Sequence, residues 1–353
     1  MAADPTLTEN IYEMADIAER LAVQAYACGM MGSPFMATLI QAAESDYREG
    51  GQIRDLLDSY PSYPRPGLNL AAALHYLALN GEPALSKRYP SVGGDGDGRA
   101  AWSAGRAILA EHRDLIEHLF AGVVQTNEPA RSMPILAAAL SLAAHFNLPV
   151  RAFEIGASAG LNLRFDRYRY EEPDWSWGDP GCALLLRNST EKGRPKHLHA
   201  DLNVIERRGC DLRPIDLNSA SDRLRLQSFV WPDQADRLDR LRAAIAAAAD
   251  IPVNIDAEVF STWLRREARC REGYVTLIVH TLVEEHLTAE ERAELNEAIA
   301  ACAKEASPRA PLARVGMELN DGRYSTEVTT WSGSKLATTI CTSDGHAQRI
   351  IWM

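Results

Sequence analysis

Between Phe153 and Leu163 the chain reads FEIGASAGLNL, and its residue types allow two kinds of chemistry. Ser158 sits in GASAG, which fits the G-x-S-x-G spacing that lifts a serine nucleophile onto a sharp strand-to-helix turn. The overlapping Glu154-x-Gly156-x-Ser158-x-Gly160 suits a cofactor cradle, because glycines let the backbone approach a ligand closely and aim the next helix at it. Both uses need a strand before the loop and a helix after it. A nucleophile also needs a base and an acid, which Ser158, Asp256 and His346 supply in chain order. A cradle needs acids at the ends of the next strands, where Asp211 and Asp256 lie.

Other polar groups stand apart from this loop. VVQTNEPAR gathers Gln125, Thr126, Asn127, Glu128 and Arg131 between apolar neighbours. It reads first as a helix N-cap, with Glu128 complementing the helix dipole, and then as a set that can line a substrate pocket. Asp166, Arg167 and Tyr168 offer either a structural ion pair or an Arg and Tyr that orient a substrate carboxylate or phosphate. His197-x-His199-x-Asp201 has the alternation of a metal site, but it lies in a Pro, Lys and Arg rich segment with no further histidine directly after it, so two solvent-facing histidines are expected and no metal. His280 ends an apolar run, the place where ligands bind in open α/β sheets. With Glu128 it is the candidate base.

The elements that must position these groups fall into two textures. From Glu9 to about Asn147 the apolar residues recur with helical period, which predicts an all-α region over 1–147. GGDGDG at 93–98 reads as a flexible connector, since the later ligand positions of a calcium loop fall on arginines. From Leu148, short apolar runs (VRAFEI, VIERRGCDL, IPVNIDA, YVTLIVHTLV) alternate with helical stretches, which predicts a parallel sheet over 148–353. PLARVGMEL, STEVTTWS, KLATTICTS and QRIIWM then follow with no helix between them, so an antiparallel edge is expected.

Composition narrows the function. The 353 residues are 46% hydrophobic and 24% charged, with a net charge of −11. A nucleic-acid partner is not expected of so acidic a chain, and a small-molecule substrate is. No stretch reaches the roughly 18 apolar residues of a membrane span, and the acidic start does not suit a signal peptide, which predicts a cytoplasmic protein without membrane contact. The six cysteines are scattered with no C-x-x-C, as for reduced, buried thiols. Nothing here bears on oligomeric state.

With these elements in order, the segment from Leu148 to Met353 resembles class I S-adenosylmethionine-dependent methyltransferases. FEIGASAGLN is similar to their first motif, CDLRPID to the turn after the second strand, IDAEVF to the third motif and TLIVHTLVEEHL to the strand-four motif beside the transferred methyl. The resemblance implies an α/β, Rossmann-like sheet, mostly parallel with an antiparallel C-terminal edge, capped by the helical N-terminal region. It also implies S-adenosylmethionine as cofactor. Gly156, Ser158 and Gly160 would form the loop, Glu154 would sit near the methionine amino group, Asp211 would hold the ribose and Asp256 the adenine amine. Gln125, Asn127, Arg131, Asp166, Arg167 and Tyr168 are the candidate substrate contacts. Two features depart from the pattern: Ser158 replaces the middle glycine, and about forty residues after Asn162 intervene before the second strand. More closely, GSPFMATL, VQTNEPAR, RRGCDLRPIDL and WSGSKLATTICTSDGHAQRIIW resemble an uncharacterised bacterial domain-of-unknown-function family. A serine hydrolase using Ser158 and a non-catalytic nucleotide-binding or scaffold protein are the alternatives.

Overall fold

A computed structural model describes residues 16–60, 65–120, 125–187, 189–320 and 322–353. The expected helix start at Glu9 and most of the acidic leader lie outside the described residues. In chain order the elements begin with α1 (Ile17–Met30), α2 (Pro34–Glu49), α3 (Gln52–Asp58), α4 (Pro66–Leu79), α5 (Pro83–Ser86), α6 (Gly98–Ile108), α7 (Arg113–Phe120) and α8 (Ser132–Phe146). Next come β1 (Val150–Ile155), β2 (Arg169–Glu172), β3 (Trp175–Trp177), β4 (Leu185–Leu186), β5 (Ser189–Lys192) and β6 (Val204–Asp211). Then follow α9 (Ala220–Ser228), α10 (Ala235–Ala248), β7 (Asn254–Ala257), α11 (Phe260–Glu267), β8 (Val275–Thr281) and α12 (Ala289–Ala303). The chain closes with β9 (Leu312–Asn320), β10 (Arg323–Trp331), β11 (Lys335–Ser343) and β12 (Arg349–Trp352).

These elements form two compact units, one of residues 1–126 with 218–242, the other of 127–217 with 243–353. The division differs from the expected 1–147 and 148–353 in two ways. Helix α8 belongs with the sheet, and a later helical stretch belongs with the N-terminal helices. Neither is visible in periodicity, which reports an element's type but not its packing partner.

In the helical unit the apolar faces of α1, α2 and α4 meet in a core that includes Leu21, Leu39, Ile40 and Leu74, all fully buried. Local chemistry sets the helix starts. Asp16 caps α1 by accepting the Ala18 amide at 2.8 Å, and Gln24 accepts the Gly67 and Leu68 amides at the head of α4. In the segment expected to be a flexible connector, Asp97 caps α6 through the Ala100 amide and Asp95 pairs with Arg88. The late stretch is tied in by polar contacts: Asp233 accepts from the Ser33 hydroxyl and from the Phe35 amide at 3.0 Å, and buried His75 bonds the Ser228 carbonyl at 3.0 Å.

In the other unit a nine-stranded sheet runs β5-β12-β11-β10-β9-β8-β1-β6-β7. Strands β7, β6, β1, β8 and β9 pair in parallel. The chain winds outward from β1 to β6 and β7, then returns to β8 on the other side of β1, so the order reverses between β1 and β8. In open α/β sheets such a reversal leaves a crevice at the carboxyl ends of the strands. Strand β8 is buried along nearly its whole length, as parallel strands covered on both faces are. Strands β10, β11 and β12 add the expected antiparallel edge. The long stretch after Asn162 makes a small sheet of order β3-β2-β4, and β5 then joins the large sheet beside β12.

Asp233→Ala removes an acceptor shared by the cap serine and the first turn of α2. It should lower stability by about 1–2 kcal/mol, measured by urea melts, while far-ultraviolet circular dichroism stays unchanged.

Candidate functional site

The turn after β1 is built from left-handed backbone. Gly156, Ser158 and Gly160 have φ of +64°, +52° and +66°. At Gly156 a side chain is excluded twice over, since a Cβ there would also meet Val283 Cγ2 at 2.7 Å. Ser158 takes the same region at a cost of about 1–2 kcal/mol for an L-residue. Neighbouring polar groups hold it there. Asp211, at the end of β6, accepts the Ser158 amide at 2.9 Å and the Arg213 amide at 2.8 Å. The Ser158 carbonyl accepts the Ile215 amide, and Asn127 accepts the Leu161 amide at 2.9 Å. Buried Arg164 donates to the Gly160 and Ile251 carbonyls at 2.8 and 2.9 Å. Behind the turn the chain forms a 3-10 segment, Asn162–Arg167, where an α-helix was expected, so no α-helix N-terminus points at a ligand here.

Inside this frame several polar atoms have no hydrogen-bond partner: Glu154 Oε2, Ser158 Oγ, and both Oδ1 and Nδ2 of Asn162. All three residues are at least 95% buried, with exposures of 1%, 5% and 1%. Burial, and then the Asp211 charge, push the Glu154 carboxyl well above the ordinary glutamate range. The Arg164 and Arg131 charges and the Asn162 amide pull the other way without compensating. These causes favour the protonated form of Glu154, which is buried in the same turn as the Ser158 hydroxyl and the Asn162 amide. Buried groups of this kind are costly, and their clustering at a strand-order reversal marks a place where a polar ligand can complete them.

Across the reversal, His280 is fully buried near the end of β8. It pairs in register with Gly316 of β9, whose missing side chain makes room for the imidazole. Its Nδ1 lies 2.6 Å from Glu318 Oε1, and its Nε2 accepts from Arg314 Nε at 2.8 Å. A guanidinium can only donate, so Nδ1 carries the ring proton and Nε2 is the acceptor. Arg314 also pairs with Glu284, while Glu318 accepts the Val283 and Glu284 amides at 3.1 and 3.2 Å. One ligand atom each of His280, Glu284 and Glu318 lie within 4.8 Å of one another, a spacing that suits a cation. Arg314 already supplies that charge, and a metal would have to displace it. Leu282, at φ +56°, turns the chain from β8 into this network.

The sequence pattern of a family described as "Uncharacterized protein conserved in bacteria (DUF2332)" matches residues 18–352. The chain belongs to that family. No curated protein and no solved structure matches it.

The structure brings some of the expected site residues together and disperses others. Glu154, Gly156, Ser158, Gly160, Asp211 and Asn127 meet at the turn. Asp256 instead accepts from Trp263 Nε1 at 2.7 Å and from Arg208 at 2.8 Å, which commits its carboxylate to packing α11 against the sheet. Gln125 accepts from Arg225 within the helical unit, while Asn127 opens the other, so VQTNEPAR straddles the division. Glu128 caps the 3-10 turn Pro129–Arg131 through the Ala130 amide, and Arg131 donates to the Gly345 carbonyl at 2.9 Å. Asp166 pairs with Arg207 and with Arg167. Tyr168 is fully buried with its hydroxyl on the Leu161 carbonyl at 2.6 Å, so it braces the turn and is not at the mouth of a site.

His280 as a free base is likewise corrected, because Arg314 occupies its lone pair. Arg314, Glu318, Glu284, Asn162 and Arg164 were missed. A signal for the first two lies in RVGME: two charges four apart, with a glycine midway, share one face of an otherwise apolar strand. None of the described helices is long and apolar enough to cross a membrane. All six cysteines are free, Cys182 and Cys270 only partly buried, and burial pushes the Cys28 and Cys341 thiols up to about 12.

Two outcomes follow from this geometry. In nitrogen-15 spectra His280 should appear as the neutral tautomer protonated at Nδ1, and Arg314→Ala should abolish that preference and cost about 1.5–3 kcal/mol. Folded Glu154 keeps its proton to a higher pH than the unfolded chain, whose glutamates titrate at about 4.3. The folded state therefore binds more protons above that pH, and its stability falls as pH rises towards the folded pKa. Glu154→Gln cannot titrate, so it should match the parent at pH 4 and be the more stable of the two at pH 8, read from urea melts at both.

Proposed function

We propose that the turn after β1 binds S-adenosylmethionine and that the protein transfers its methyl group to a small-molecule acceptor. The observation that carries this reading is the buried, unpartnered set of Glu154, Ser158 and Asn162 around a left-handed glycine turn at the strand-order reversal. A zwitterionic amino-acid tail is complementary to that set. Its ammonium suits the Glu154 carboxylate, and its carboxylate suits the Ser158 hydroxyl and the Asn162 amide. Asp211 lies beside the turn at the end of the second parallel strand, where ribose hydroxyls are held in nucleotide-binding sheets. The cofactor would supply an electrophilic methyl on a sulfonium. The chain's own part is positioning, with Asn127, Asp211 and Arg164 keeping the turn rigid so that acceptor and methyl can be aligned.

Neither expected base is idle: His280 accepts from Arg314, and Glu128 caps a turn. This favours a second reading, a nucleotide-binding protein without turnover, which shares the same pocket. Hydrolysis through Ser158 is not proposed, because its hydroxyl is enclosed and bonds no histidine.

S-adenosylhomocysteine should raise the melting temperature, since a ligand that binds only the folded state stabilises it by mass action. Calorimetry should show tighter binding as pH rises, because an ammonium favours ionised Glu154 and its proton must leave. Glu154→Gln should weaken S-adenosylhomocysteine at least tenfold and leave adenosine unchanged. Absence of any thermal shift at millimolar ligand defeats the methyl-transfer reading. Binding without methyl transfer to any of a panel of small nucleophiles selects the second.

A further inference from the structure

Away from the β1 turn, the sheet unit carries two adjoining cavities that share Arg194, Lys196 and His197 in their walls. The larger, of about 520 Å³, lies along the segment 194–200 and includes His199. The other, of about 250 Å³, is lined largely by apolar side chains of α8 and the antiparallel strands, among them Leu142, Val328, Leu336 and Ile340. His145, in the last turn of α8, stands at its edge.

Two features point to a ligand. No aspartate or glutamate lines either cavity, and Arg194 and Lys196 make no ion pair among the described residues, although the protein as a whole has a net charge of −11. Trp352 also lines the apolar cavity. It is 6% exposed, and its indole N–H has no acceptor. A cationic mouth, an apolar chamber and an unpaired donor together match an amphipathic anion.

We propose that this double cavity binds a free aliphatic carboxylate of medium chain length. The chain occupies the apolar chamber between α8 and β10–β12, and the head group lies against Arg194 and Lys196 with the histidines beside it. The reading is independent of the cofactor proposal, since the two sites share no residue.

Titration calorimetry with the intact protein tests it, using decanoate, octanoate, acetate and decylamine at fixed ionic strength. Decanoate should bind with one-to-one saturation, and octanoate about tenfold more weakly, because burying two methylenes is worth roughly that factor. Acetate and decylamine should give no saturable signal. Arg194 and Lys196 are exposed, so the double variant R194E/K196E should fold normally and lose at least tenfold in decanoate affinity. Leu336 is 63% exposed, and Leu336→Glu should have the same effect by placing a charge in the chamber. Absence of saturable binding at millimolar decanoate, equal binding of decylamine, or full affinity in both variants would overturn the proposal. Co-sedimentation with anionic phospholipid vesicles without decanoate binding would overturn it in favour of a membrane surface.

Discussion

A single carboxylate holds the site in shape. Asp211 accepts the amide of Ser158, a residue whose left-handed backbone is unfavourable for an L-amino acid, and a second amide from its own turn. Through it the ends of β1 and β6 become one rigid object, and everything else at the turn is arranged around that. Arg164 draws in the carbonyls of Gly160 and Ile251, Asn127 takes the Leu161 amide, and Tyr168 takes the Leu161 carbonyl. These bonds restrain the turn from several sides. Rigidity of this kind is what a site needs if a ligand is to meet prepaid geometry.

The same rigidity explains why a cluster of unfavourable groups can persist inside it. Glu154, Ser158 and Asn162 are buried with polar atoms that no neighbour satisfies. A flexible segment would rotate them towards water or towards each other. Here the frame is over-determined, so the cost is carried by the rest of the fold.

Opposite the turn, the His280 network shows the contrary solution. His280 and Glu318 are buried while Arg314 and Glu284 are partly exposed, and nearly every donor meets an acceptor: Glu318 takes the imidazole and two amides, and Arg314 joins His280 to Glu284. The network stiffens the path from β8 into the loop at Val283, whose side chain closes over Gly156. A histidine at a strand end can thus serve structure rather than chemistry. What separates the two roles is whether its lone pair is free, and that depends on a residue of the neighbouring strand.

By itself the sequence determined the alternation of strands and helices from Leu148 onward, the antiparallel end and the glycine turn, because these follow from local periodicity and from residues that only certain backbone shapes accommodate. VRAFEI, VIERRGCDL, the later runs and the four closing strands lie where their patterns put them. Family membership was legible too, through long shared stretches rather than through any mechanism. The 3-10 segment behind the turn, the transfer of α8 to the sheet unit and of 218–242 to the helical one, and the fates of Asp256, Tyr168 and His280 were decided only by tertiary structure. Several depend on a partner far away in the chain: Arg208 for Asp256, Asp233 for the head of α2, Arg314 for His280. Sequence spacing carries a residue's type and its local backbone, but a carboxylate, a hydroxyl or an imidazole becomes a brace, an orphan or a base according to what packs against it, and packing is not local.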